Sequence, residues 1–117
     1  MPKLLKPLAL LMLLALAGCA HQVSESGYYW GDYSSTYHEY LENPSKETAE
    51  QHFASLTDIV AISNEKGLKC PPGIYAEMAY IKQKQGKNDE ARDFFNQELQ
   101  LYPESKPFVE KLFVKGN

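Results

Sequence analysis

The chain has 117 residues, with 12 basic and 15 acidic side chains and a formal charge of −3. This length suffices for one small domain but is marginal for a large core. The acidic balance argues against a nucleic-acid-binding protein, because such proteins carry basic surfaces.

The N-terminal segment has the features of a secretory signal. Lys3 and Lys6 form a short positive region, and an uncharged apolar run over residues 8–17 follows it. That run is shorter than the roughly 20 residues that a membrane-spanning helix needs, but it has the length of a signal-peptide core. The run leads into Leu-Ala-Gly-Cys ending at Cys19, which resembles the lipobox of bacterial lipoproteins. The resemblance implies that residues 1–18 are a lipoprotein signal peptide and that Cys19 carries the lipid.

The predicted mature chain is anchored to the membrane rather than spanning it. Its 99 residues retain ten basic and all 15 acidic side chains, a formal charge of −5, so acyl chains must provide the hold on the membrane. Ala20 stands where an inner-membrane retention signal would have Asp, which implies the outer membrane, facing the periplasm. The polar, unpatterned residues 19–27 are predicted to be a lipidated tether. Residues 28–117 are predicted to form the domain.

An aromatic segment opens this domain and predicts a first helix. Its spacing of i, i+4, i+7 and i+8 is that of one helical face, and the residues at this spacing are Tyr33, Tyr37, Tyr40 and Leu41. Two interpretations stay open, a partner-binding patch and a contribution to a small core. We expect Tyr37, Tyr40 and Leu41 to point inward. We expect Tyr28, Tyr29, Trp30 and Tyr33 to provide candidate contacts with a partner or with the lipid interface.

A long helix is predicted next, over residues 45–66. Asn43 or Ser45 can cap its start, and Gly67 stands where a C′ glycine would end it. Cys70 follows, and no second cysteine of the mature chain except Cys19 could pair with it. A buried, inert thiol and a reactive or dimer-forming thiol are the two alternatives.

Two helices separated by Gly86 are predicted after the Pro-Pro-Gly sequence at residues 71–73. Asn88 is expected to cap the second of these helices, with two acids after it near the positive end of that helix, and Pro103 is expected to end it. Ser105 can cap a last helix, whose inward-facing side chains are expected to be Phe108, Leu112 and Phe113. No segment shows the alternation of a strand, so the sequence predicts an all-α domain.

Residues 72–105 resemble a single, degenerate tetratricopeptide repeat, a helix-turn-helix unit of about 34 residues. The matching positions are Tyr75, Met78, Ala79, Gly86, Asp89, Glu90, Ala91, Phe95, Leu99 and Pro103. Lys82 and Glu98 depart from the pattern. Because one repeat cannot bury its own apolar faces, we expect a long helix to flank it on one side and a capping helix on the other.

The resemblance implies a peptide- or protein-binding surface on the first helix of the repeat. That surface would offer Ala76, Tyr80, Gln83 and Lys84. A hairpin that serves only as scaffold is the equally weighted alternative.

The mature chain also resembles a family of small, uncharacterised proteobacterial lipoproteins. The motifs that carry this resemblance are Tyr-Trp-Gly-Asp-Tyr at 29–33, Pro-Pro-Gly at 71–73 and Tyr-Pro-Glu-Ser at 102–105. Genes for such proteins tend to lie beside a gene for a lipoprotein similar to the curli secretion channel. The resemblance therefore implies an accessory subunit of an envelope complex.

The sequence contains no motif for catalysis, cofactor binding or metal binding. His21, His38 and His52 lack the spacing of a zinc site, so we expect solvated or structural histidines. We therefore predict no enzyme, no cofactor and no metal. The predicted function is a non-catalytic protein-interaction subunit among envelope lipoproteins. The alternative is a cell-wall-facing module that binds glycan or modulates a peptidoglycan enzyme.

Overall fold

The computed structural model describes residues 22–115, with side chains as far as residue 113, and these residues form an all-α domain. The predicted signal peptide, Cys19 and His21 lie outside the described residues. The five α-helices are α1 (Tyr33–Glu42), α2 (Lys46–Glu65), α3 (Ile74–Lys84), α4 (Asn88–Leu101) and α5 (Lys106–Lys115), with a 3-10 turn at Pro103–Ser105. The described part of the chain contains no strand, so the predicted fold class is confirmed. None of its helices is long and apolar enough to cross a bilayer.

The start and end of α2 follow the predicted signals. The Ser45 side chain accepts from the Thr48 backbone N–H, and the Thr48 hydroxyl accepts from the Ser45 N–H, which completes a capping box. Gly67 follows the last turn with φ of +66°. Only glycine adopts that conformation without steric cost, so the helix ends there.

The main core lies between α2 and α3. Leu56 and Ile59 of α2 pack with Ile74 and Met78 of α3, and Cys70 from the connection joins them. Burial raises the pKa of the Cys70 thiol to about 12, so the thiol stays protonated at neutral pH. The prediction that Cys70 is buried is therefore confirmed.

Helices α3 and α4 form a tight antiparallel hairpin, closed by Gly86 with φ of +77°. Ala79 and Ala91 are completely buried where the helices meet. Because both side chains are small, the two backbones can approach closely there. The predicted cap of α4 was wrong. Asn88 is already the first helical residue, and Lys87, which provides no side-chain hydrogen bond, precedes it. The Lys87 N–H bonds to the Lys82 carbonyl, and the Ala91 N–H bonds to the Lys87 carbonyl, so Lys87 both closes the turn and begins the hydrogen bonding of α4.

Helix α5 packs on the hairpin through Val109 and through two of its three predicted side chains, Leu112 and Phe113. Val109 is buried, Phe113 packs edge-on against Phe95, and Phe108 is 58% exposed. Neighbouring helical residues point about 100° apart, so the orientation that buries Val109 turns Phe108 toward solvent. The prediction that Phe108 points inward was therefore wrong.

Glu98, which departs from the repeat pattern, lies inside the hairpin and caps the start of α3. It is 1% exposed, and its Oε1 accepts the Gly73 N–H at 2.8 Å, at the start of α3. Burial raises the pKa of Glu98, while the backbone N–H groups of Gly73, Ala76 and Tyr75 oppose that rise. The buried carboxylate thus occupies the positive end of α3.

We expect Glu98→Gln to remove a pH-dependent part of the stability. Because folding raises the pKa of Glu98, its contribution to the free energy of unfolding is complete at low pH. That contribution declines as pH rises through the folded-state pKa. Urea unfolding from pH 4 to 8 gives the free energy of unfolding of the wild type and of Glu98→Gln. The difference between the two should show this decline. The exposed Glu65→Gln is the control, and an equal pH profile in both variants would contradict the expectation.

Candidate docking groove

An open groove runs along α3, between α1 and α5, and encloses about 460 Å³. No Cα atom of α1 lies within 8 Å of a Cα atom of α5, so the two helices form separate walls. The wall from α1 consists of Tyr33, Tyr37, Tyr40 and Leu41, and the wall from α5 consists of Phe108 and Leu112. The floor from α3 includes Ala76, Glu77, Tyr80, Ile81 and Lys84. We call this feature the groove.

Exposed apolar surface is concentrated in the groove. Four large apolar side chains are strongly exposed among the described residues, and three of them (Tyr37, Leu41 and Phe108) line the groove. The fourth, Val23, precedes the helices. Soluble domains seldom expose contiguous apolar patches that lack a binding role. The groove is therefore the surface best suited to bind another molecule.

The predicted roles of two aromatic groups were partly reversed. Tyr37 and Leu41 were expected to point inward, but α1 contains no buried residue. Tyr29 was expected at the surface, but it is 6% exposed in the main core. Gly31 explains this, because its φ of +51° turns the chain back on itself, and a Cβ there would lie 3.0 Å from the Tyr29 hydroxyl. Tyr29 thus fills the core space that the α1 side chains were expected to occupy.

His52 lies behind the wall formed by α1 and holds that wall in place. It is 1% exposed, and its Nδ1 lies 2.8 Å from the Thr36 hydroxyl of α1. Its Nε2 lies 3.1 Å from Oε1 of Glu77, whose Oε2 accepts the Tyr33 hydroxyl at 2.6 Å. Burial and this bond to Glu77 raise the pKa of Tyr33, so the phenol stays protonated and donates. Two polar contacts thus attach α1 to α2 and α3.

Three tyrosine rings complete the surroundings of His52. The ring centroids of Tyr33, Tyr37 and Tyr40 lie 5.3, 5.5 and 6.1 Å from that of the imidazole. The Tyr40 ring stacks on the imidazole with an interplanar angle of 9°. Aromatic contacts of this kind add to the stability that burial provides. The α1 wall is therefore held by rings and hydrogen bonds rather than by a buried apolar face.

Both ring nitrogens of His52 have partners within the protein. The Thr36 hydroxyl lies 2.8 Å from Nδ1 and also 3.3 and 3.2 Å from the Asp32 and Tyr33 carbonyl oxygens, so it can donate to Nδ1, or accept from it while donating to one of these oxygens. Glu77 lies 3.1 Å from Nε2, and its other oxygen accepts the Tyr33 hydroxyl. The polar groups of His52 and Glu77 are therefore turned toward each other and toward α1.

Lys84 is the one lysine among the residues that line the groove. Its Nζ lies 4.8 Å from the centroid of the Tyr80 ring, and no acidic side chain described in the structure forms an ion pair with it. A hydrogen bond to Tyr80 is the largest cause that raises the pKa of Lys84, with Tyr40 contributing in the same direction. The ammonium group therefore stays charged at neutral pH. It places a positive charge at one end of the groove.

The structure brings four of the eight predicted contact residues together, since Tyr33, Ala76, Tyr80 and Lys84 all line the groove. Gln83 is buried, and its side-chain N–H donates to the Phe113 carbonyl at 2.9 Å. The other three lie outside the groove.

Of these three, Tyr29 is in the core, while Tyr28 and Trp30 are half-buried beside it. The Trp30 ring packs edge-on against Tyr33, with centroids 5.4 Å apart. Trp30 thus packs against the start of α1, and Tyr28 packs against Trp30.

The sequence did not indicate Glu77, His52 or Phe108 as parts of the site. Phe108 and Leu112 stand four residues apart, which is the one pattern that could have placed them on a shared helical face. Within residues 22–115, no group of three or more His, Cys, Asp and Glu side chains is arranged to hold a metal.

Comparison with known proteins gives a family for the chain but no activity. No curated protein and no solved structure matches the chain. One family model, described as a domain of unknown function (DUF4810), matches residues 28–112, which include all four helices from α1 to α4 and most of α5. This match covers well over half of the chain. The chain therefore belongs to the DUF4810 family.

Proposed function

We propose that this protein is a non-catalytic accessory subunit of an envelope lipoprotein complex. Lipid on Cys19 would hold it at the periplasmic face of the outer membrane, and the groove would dock a segment of a partner protein. The lipobox-like sequence at residues 16–19 supports the anchor. A lipoprotein similar to the curli secretion channel is the first candidate partner, since the sequence resembles lipoproteins that are encoded beside one.

The concentration of exposed apolar side chains in the groove is the observation that carries this proposal. Partner-binding sites combine apolar and aromatic anchors with a polar rim. Tyr37, Leu41 and Phe108 provide such anchors on two walls, while α3 provides a narrow floor. Because these side chains are already exposed, binding a partner would remove apolar surface from water without unfolding the domain.

The state of the histidine-glutamate pair argues against catalysis in the groove. A general acid or base must reach the substrate proton within hydrogen-bonding distance. Both ring nitrogens of His52 and both carboxyl oxygens of Glu77 already have partners within the protein. With 1% of its surface exposed, His52 cannot meet a substrate unless α1 moves away. These groups are better explained as supports for the wall of a docking site.

In-cell photo-crosslinking tests the proposed function. A photoreactive phenylalanine analogue is placed at Tyr37 or Phe108 in the lipidated protein, and the crosslinked products are identified by mass spectrometry. The matched control position is Asn64, an exposed residue of α2 that does not line the groove. We expect both groove positions to capture the same envelope lipoprotein, and Asn64 to capture none. A Cys19→Ser version should lose this product, because it is no longer held at the same membrane.

Two outcomes would contradict the proposal. One is equal capture from Asn64 and the groove positions, which would show that contact is random. The other is the absence of any captured lipoprotein from either groove position. A requirement for Cys19 separates partners that meet at the membrane from proteins captured after lysis.

Glycan binding is the second candidate function. Tyr37, which is 38% exposed, stacks on Tyr33 with an interplanar angle of 16° and offers an aromatic face of the kind on which sugar rings stack. In that case the purified domain should sediment with isolated cell-wall sacculi, and Tyr37→Ala should abolish the sedimentation. Under the accessory-subunit proposal, the domain stays in the supernatant.

A further inference from the structure

We infer that α1 detaches from α2 as a unit while the rest of the domain stays folded, and that this opening removes one wall of the groove. Helix α1 thus acts as a strap over α2. Because α1 provides Tyr33, Tyr37, Tyr40 and Leu41 to the groove, the groove is complete only while the strap is closed. The consequence for docking rests on the proposed function, whereas the opening itself is tested on the protein alone.

The part of α2 that α1 covers buries polar side chains. These are Thr48, His52 and Ser55, at the spacing i, i+4 and i+7. Thr48 donates to the Asn43 carbonyl at the end of α1 at 2.8 Å, and Ser55 donates to Asp32 just before its start at 2.6 Å. His52 contacts the middle of α1. Because water can replace each of these hydrogen bonds, the net free energy that each contributes to docking is small.

The rest of the domain does not depend on these contacts. Beyond Ser55, α2 buries Leu56, Ile59 and Ile62 in the main core, whose apolar surface would be costly to expose to water. Helix α1 has no buried residue, and among the described helices only α2 has Cα atoms within 8 Å of those of α1. Opening therefore exposes much less apolar surface than global unfolding, which is the condition for a local opening.

The chain is fixed independently on both sides of α1. Gly31 precedes the helix with φ of +51°, and Tyr29, two residues earlier, lies in the main core. After α1, Asn43 leaves the helical conformation with φ of −127°, and the capping box at Ser45 begins α2 without a contribution from α1. The unit that opens thus comprises residues 32–43, between two fixed points.

Hydrogen-deuterium exchange of the full chain, followed by mass spectrometry of overlapping peptides, tests the opening. We expect the amides of α1 to exchange at least about tenfold faster than those of α3, each relative to its rate in an unfolded chain. Urea below the unfolding transition should accelerate exchange in α3 but hardly in α1, because opening α1 exposes little surface. Equal rates with equal urea dependence in the two helices would overturn the inference. An absence of protection in α1 would also overturn it, because the helix would then not be docked.

A core substitution separates the local opening from global unfolding. Ile62 lies in the main core, beyond the part of α2 that α1 covers, so Ile62→Val should accelerate the exchange of α3 by about three- to tenfold. It should leave exchange in α1 unchanged, because the core stays intact when α1 opens. Acceleration of both helices by the same factor would show that α1 opens only when the whole domain unfolds, which contradicts the inference.

Removing one hydroxyl tests the contact that keeps the strap closed. Tyr33 donates to Glu77 at 2.6 Å, and Tyr33→Phe should accelerate exchange in α1 by about five- to tenfold, since a hydrogen bond to a carboxylate is lost. Tyr37→Phe is the matched control from the next turn, because no hydrogen bond involves the Tyr37 hydroxyl in the described part of the chain. It should leave the exchange of α1 unchanged. Equal acceleration by the two variants would overturn the role assigned to the Tyr33 contact.

Discussion

Replacing His52 with alanine is expected to lower the free energy of unfolding by about 2–4 kcal/mol. The substitution removes a buried ring that contacts three tyrosines, and it leaves the Thr36 hydroxyl and the Glu77 carboxyl without their partner. Small domains have only about 5–15 kcal/mol of stability in total, so this loss is large. Urea unfolding of the purified domain, followed by circular dichroism at 222 nm, measures it.

His38→Ala is the matched control for His52→Ala. The His38 side chain is 69% exposed and pairs only with Glu42, four residues along the same helix. Such exposed pairs contribute less than about 1 kcal/mol, so His38→Ala should change the free energy of unfolding by less than about 0.5 kcal/mol. Similar losses in the two variants would show that the contacts of His52 with α1 contribute nothing to stability.

Phe108→Asp is expected to reduce capture of the partner by at least about tenfold, the effect of losing a central apolar anchor of an interface. The side chain is 58% exposed in the free protein, so its replacement should leave the free energy of unfolding within about 0.5 kcal/mol of wild type. The yield of crosslinks from a photoreactive residue at Tyr80 measures the first effect, and urea unfolding measures the second. Together they separate a binding defect from a folding defect.

Val23→Asp is the control for Phe108→Asp. Val23 is also an exposed apolar side chain, 42% accessible, but it lies before α1 and does not line the groove. We expect it to leave capture unchanged. Equal reductions in both variants would mean that general surface polarity, rather than the groove, affects recovery of the partner.

The main elements of the fold could be predicted from local sequence signals. Ser45, Gly67, Gly86 and Pro103 lie at helix boundaries in the structure as they do in the prediction. These signals act within a few residues, because a cap or a left-handed glycine needs only its neighbours. The cap of α4 was predicted one residue too late, because the first hydrogen bond of that helix is accepted by the Lys87 carbonyl and Asn88 already lies within the helix. The predicted lipid anchor also depends on local signals and stays a prediction.

The direction in which each helix faces could not be predicted from its own pattern. Helix α1 has an apolar stripe, but Tyr29 occupies the core, so the stripe faces the groove. In α5, both Val109 and Phe108 could have pointed inward, and the surface presented by Ala79, Ala91 and Phe95 selected Val109. Hydrophobic periodicity identifies an apolar face, but packing against other elements determines whether that face is covered.

The sequence by itself determined that this protein is a small all-α domain with helices that begin and end near the predicted residues. The tertiary structure decided which side chains form the site. His52 and Glu77 are 25 residues apart, as are Gly73 and Glu98, and no local pattern links the members of either pair. The burial of His52 and Glu98 depends on partners that only the folded chain provides, because hydrogen bonds within the protein offset the cost of removing a polar group from water. The groove exists for the same reason, since its walls come from helices that meet only in three dimensions.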